Sequence, residues 1–131
     1  ALGYRHDYTT NIYNLPIRGG GDGGLYTTSE NLRKLWKHLF AFDIISERLL
    51  NEFITPHVKM WQLVDYGCGI YINKVNDRHA YSIVGGDAGV GFNSKYIPAD
   101  NLIINTLSNK TNGEEEIVSI INDYLKSGNK M

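Results

Sequence analysis

Residues 66–109 read YGCGIYINKVNDRHAYSIVGGDAGVGFNSKYIPADNLIINTLSN, and the spacing of apolar runs and turn residues here sets the architecture. Tyr66 to Val75 predicts a strand, Asn76-Asp77 a turn, and His79 to Val84 a returning partner strand. Gly85 to Gly91 forms a glycine-rich corner. Phe92 to Ile97 predicts a third strand, Pro98-Ala99-Asp100-Asn101 a turn, and Leu102 to Leu107 a fourth strand. Leu102-Ile103-Ile104 is apolar on both faces, the pattern of a central strand covered on each side. Strands that follow one another through short turns make an antiparallel meander of about four strands across 66–108.

Working outward, helical spacing flanks this sheet on both sides. Thr28 or Ser29 can cap a helix whose apolar face is Leu32, Leu35, Trp36, Leu39 and Phe40. Lys34, Lys37 and His38 fall late in it, where the helix dipole favours cations. A shorter helix follows Ser46, with Leu49, Leu50, Phe53 and Ile54 as its stripe and Pro56 beyond its end. Together these make residues 27–56 helical. After the sheet, a helix is expected from Gly113 to Lys126, within 113–127, with Glu114, Glu115 and Glu116 in its first turn. Its expected buried face is Ile117, Ile120, Ile121, Tyr124 and Leu125. Residues 1–26 are irregular and rich in Tyr, Asn, Thr and Gly, as in a segment lying over a neighbour. The fold class is therefore α+β: one antiparallel sheet packed with two N-terminal helices and a C-terminal helix, a single unit over 1–131.

Composition narrows the function classes. Hydrophobic residues make up 42% and charged residues 21% of 131 residues, a globular composition. A net charge of −1 provides no basic field, which argues against nucleic acid as a partner. No run of eighteen apolar residues occurs, so no membrane contact is expected from this segment. No leader pattern opens at Ala1-Leu2-Gly3-Tyr4-Arg5, a statement about these residues only. Cys68 is the one cysteine, so no internal disulfide can form. It stands between two glycines in the expected first strand and reads as a small buried residue. His6, His38, His57 and His79 lack the spacing of a zinc site, and no metal or other cofactor is expected. Trp36 and Trp61 read as core or interface anchors.

Several segments in order resemble the serine β-lactamase and penicillin-binding-protein family, in the branch with class C β-lactamases, D-alanyl-D-alanine carboxypeptidases and related esterases. Gly23-Gly24-Leu25-Tyr26-Thr27-Thr28-Ser29-Glu30-Asn31-Leu32 is similar to that family's helix entry. Tyr66-Gly67-Cys68-Gly69-Ile70 resembles its Tyr-Gly-Xaa-Gly strand. Gly86-Asp87-Ala88-Gly89-Val90, with Phe92 and Ser94, resembles its third active-site motif and the strand after it. Leu107-Ser108-Asn109 resembles the end of its last strand. The resemblance runs from about Leu2 to Leu125. It implies the C-terminal part of a hydrolase that cleaves an amide or ester through an acyl-serine, in the cell envelope of a bacterium. It also implies that the partner of the last strand is an N-terminal part of the parent protein absent from this chain. Left without it, the edge along 101–108 is expected to be exposed and to self-associate.

The family's chemistry needs a serine with a lysine one helical turn later, a Tyr-Xaa-Asn pair, and a cationic Lys-Thr-Gly or His-Xaa-Gly strand. Ser127-Gly128-Asn129-Lys130 matches Ser-Xaa-Xaa-Lys only in letters, at a glycine-broken terminus. Tyr71-Ile72-Asn73 lies on an expected strand, which favours packing. Lys110-Thr111-Asn112-Gly113 follows the last strand and reads as a loop. No catalytic residue is assigned. The third motif falls at Gly85, Gly86 and Asp87, the candidate substrate-binding residues, with Gly85 where the family has a cation. Asp87 reads as a substrate-facing residue or a turn residue bonding its own backbone. Gly19-Gly20-Gly21-Asp22-Gly23-Gly24 fits a dinucleotide fingerprint in letters, but lacks a buried strand before it and a βαβ unit after it. A non-catalytic module holding a peptide or cell-wall fragment is the alternative from another class.

Overall fold

The computed structural model describes residues 1–21 and 23–128. Helix α1 spans Ser29–Phe40 and helix α2 spans Glu47–Phe53. The strands are β1 Val58–Trp61, β2 Val64–Tyr66, β3 Tyr71–Val75, β4 Arg78–Asp87, β5 Val90–Ile97 and β6 Leu102–Ser108, and helix α3 spans Glu115–Lys126. All six strands form one sheet in the order β1-β2-β3-β4-β5-β6, each antiparallel to the next. The α+β class and the meander hold. The strand number is corrected from about four to six.

The extra strands, β1 and β2, precede the expected first strand, which itself starts later than expected. Tyr66 ends β2, Gly67 N–H bonds the Ile70 carbonyl at 2.9 Å, and β3 starts only at Tyr71. Cys68 is consequently exposed in a turn, not buried in a strand. Its N–H bonds the carbonyl of Phe53 at 3.0 Å, tying the turn to α2.

Both N-terminal helices begin at hydroxyl caps. Thr28 Oγ1 accepts from Asn31 N–H at 3.2 Å, and Ser46 Oγ accepts from Leu49 N–H at 3.4 Å. Such caps satisfy amides that lack an intrahelical partner, a contribution of about 1 kcal/mol each. Helix α1 lays Trp36 against Ile70, Ile72, Tyr81 and Tyr96, with Phe40 edge-on to Tyr96. Its indole N–H donates to Ser94 Oγ at 2.8 Å, and that hydroxyl donates to Asn105 Oδ1 at 2.6 Å. The Asn105 amide in turn donates to the Ser29 carbonyl at 2.9 Å. One polar chain thus fixes α1 across β5 and β6.

The opposite face of the sheet carries α3. Leu125 packs with Val75, Ala80 and Ile97, and Ile121 joins Leu102 and Ile104 beside them. The expected buried stripe is corrected here: Ile117, Ile120 and Tyr124 are exposed, and only Leu125 is fully buried. The helix meets the sheet along its Val118–Ile121–Leu125 side, so the flank bearing Ile117 and Tyr124 points past it. Strand β6 has helices on both faces, as its apolar run implies, but stands at the end of the sheet and not in its centre.

Candidate functional site

Gly85, Gly86 and Asp87 close β4, opposite Phe92, Gly91 and Val90 of β5. The Phe92 ring lies across Gly85, where an added Cβ would come within 2.5 Å of it. A side chain at 85 is therefore excluded unless that ring moves. Asp87 Oδ1 accepts from the Ala88 N–H at 2.6 Å, so the turn reading of this carboxylate is the one the geometry supplies. Gly89 completes the two-residue loop with φ of +81°, a conformation that favours glycine.

The ladder with β3 stops at the pair Tyr71–Ser82. From Ile83 to Asp87, β4 has a strand neighbour on the β5 side alone. Five residues of backbone thus lie along an open edge, two of them glycines that let another chain approach closely. Such an edge can take an extended ligand as an added strand. Among the described residues no lysine, arginine or histidine bonds to Asp87, and Gly85 offers no cation of its own.

The tip of this hairpin is clamped by residues of the irregular segment 1–26 and of the loop that follows β6. Asn11 is 2% exposed. Its Nδ2 donates to the Ala88 carbonyl at 2.9 Å, and its Oδ1 accepts from Gly3 N–H at 3.2 Å. Tyr4 N–H reaches both the Gly89 carbonyl at 3.2 Å and the Asn109 carbonyl at 2.8 Å. Thr111 Oγ1 accepts from Gly89 N–H at 2.7 Å. The loop 110–113 is therefore part of the clamp. Nothing local marked Asn11, because its partner is 77 residues away.

The other candidate motifs separate. Tyr71 and Asn73 share one face of β3, and the Tyr71 ring stacks on Trp61 with centroids 6.0 Å apart. Ser127 is the residue after α3, while Asn129 and Lys130 lie outside the described residues. In the glycine run, Gly20 bridges Gly23 and Asp22 lies outside the described residues. Helix α1 opens at Ser29, not on Gly24, which removes the geometry of a dinucleotide fingerprint. His38 bonds Asp43 at 2.8 Å, His57 meets Glu52, and His79 stacks on Tyr81. Among the described residues no cluster of three His, Cys, Asp or Glu could hold a metal ion, and no helix is long and apolar enough to cross a membrane.

No protein-family model matches this chain. No curated protein matches it either. Among solved structures it is similar to a penicillin binding protein from Bacillus halodurans, with a TM-score of 0.84 and 34% sequence identity. The match covers 94% of this chain and 40% of that one, so the chain spans well under half the length of its neighbour.

Proposed function

We propose, from the premise that this chain has the fold of part of a penicillin-binding-protein-like, β-lactamase-like domain, that it forms the substrate-edge wall of a serine acyl-transfer hydrolase. The observation that carries this reading is the open, glycine-lined edge of β4 at Ile83–Asp87, in a chain with that similarity. A substrate amide or ester would lie along the edge as an added strand. A serine with its lysine, on a helix belonging to other polypeptide, would attack it from the α1 side. That polypeptide would also supply strands beside β6. In this division of labour the chain binds and orients, and the acyl-serine forms elsewhere.

The chain alone is expected to stay unlabelled by a fluorescent penicillin on a denaturing gel. A covalent adduct that disappears in Ser127→Ala would place the nucleophile here and overturn the assignment. One observation favours the second reading, a non-catalytic module for peptides or cell-wall fragments: Gly85 stands where a cation would polarise the substrate. Residues upstream in the reading frame separate the two. A Ser-Xaa-Xaa-Lys entering a helix supports the hydrolase, and its absence supports the module.

A further inference from the structure

The sheet face that carries α3 has a second feature. Trp61, Tyr71, Asn73, Ser82, Val84 and Asn93 line a recess of about 230 Å3. Its wall is aromatic. Trp61 is 59% exposed, and its ring stacks on Tyr71 with an interplanar angle of 17°. Tyr71 is braced edge-on by Tyr66 at 4.8 Å. The polar groups of the lining are all neutral. Ser82 is 6% exposed, and among the described residues its hydroxyl has no hydrogen-bond partner. The amides of Asn73 and Asn93 have none either.

A hydroxyl that reaches a recess and has no protein partner is free to bond a ligand seated there. This one opens on a recess with two further unused amides and an exposed indole. We propose that the recess binds one neutral sugar ring. A pyranose has an apolar C–H face that lies flat on an aromatic ring, and rim hydroxyls that both donate and accept. It would occupy the aromatic wall and satisfy Ser82, Asn73 and Asn93 together. An apolar side chain of a peptide would cover those three groups without bonding them. A sugar acid would find no countercharge in the lining. The volume is below the roughly 300–1,000 Å3 of drug-sized pockets, which suits a single ring. The site lies on the α3 face and shares Val84 with the open edge of β4, and the inference does not depend on the acyl-transfer reading.

Titration of the full chain with glucose and N-acetylglucosamine, followed by indole fluorescence and amide chemical shifts, tests it. Saturable millimolar binding is expected, with shifts at Tyr71, Asn73, Val84 and Asn93. Trp61→Ala and Asn93→Ala should each weaken binding by roughly tenfold or more, the equivalent of losing one contact of about 1.4 kcal/mol. Both positions are at the surface of the recess, and an unchanged circular dichroism spectrum shows that the fold is kept. Leu63→Ala, on the neighbouring exposed turn, should leave affinity unchanged. The proposal is overturned if neither sugar binds at hundred-millimolar concentration, or if both variants bind as the parent does. Glucuronate binding as well as glucose, or phenol binding where sugars do not, overturns it equally.

Discussion

Lys95 is 5% exposed on the α3 face of β5, with its ammonium hydrogen-bonded to Asn122 of α3. Burial lowers its pKa from the usual lysine value, and the nearby Lys126 lowers it further. A base with a depressed folded-state pKa binds fewer protons folded than unfolded between its folded pKa and about 10.4. Its penalty on stability is complete below the folded pKa and is relieved as pH rises through that window. Tyr81 and Tyr96 act in the opposite sense higher up, since burial raises both phenols and the folded state resists their ionisation. Lys95→Met keeps the aliphatic stem and removes the charge. It is expected to be more stable than the parent at neutral pH, with the advantage shrinking toward pH 10. Urea unfolding of both proteins across pH 6 to about 10 checks this, and an unchanged or growing difference would contradict it.

The elements differ in how plainly the chain announces them. Helices α1 and α2 were legible because Thr28 and Ser46 are hydroxyl caps placed directly before apolar stripes. The β4–β5 corner was legible because Gly85 to Gly91 permits backbone that other residues resist. Strands β1 and β2 were not. Lys59-Met60-Trp61-Gln62-Leu63-Val64 has no turn residue, and all four residues of β1 are exposed, so no alternation appears. The exposed flank of α3 was misread because spacing reports an apolar face and not what covers it. The clamp at the hairpin tip was hidden by distance along the chain. Its central residue gives a test at this level. Asn11→Ala strips the Ala88 carbonyl of its donor and should cost about 1–3 kcal/mol. Amide hydrogen exchange should quicken at Ala88–Gly91 and stay unchanged near Asn76-Asp77, at the far end of β4. Equal quickening at both ends would show general destabilisation in place of a local clamp.

Across the whole molecule, exposed apolar side chains are widely spread, and one group of them lies at the β6 end of the sheet. Strand β6 ends the sheet, and Leu102–Ser108 carries no charged residue and no proline, the usual guards of an exposed edge. Exposed Ile117, Ile120 and Tyr124 lie next to Ile121, which packs with Leu102 and Ile104 of that strand. A second copy can pair antiparallel about Asn105, setting Ile103 against Leu107 and Ile104 against Thr106. Isolated chains are therefore expected to self-associate by light scattering, and Leu107→Lys should shift them toward monomer. A monodisperse monomer of the parent chain at every concentration would count against this edge as a contact surface.

Strand order in the sheet is also chain order. Every ladder joins sequence neighbours, so the sheet can zip together hairpin by hairpin with little loop-closure entropy. The slow events are then the long-range ones: Ser29 finding Asn105, and Asn11 finding Ala88, 76 and 77 residues along the chain. The refolding rate is then expected to follow the closure of these contacts with the N-terminal third.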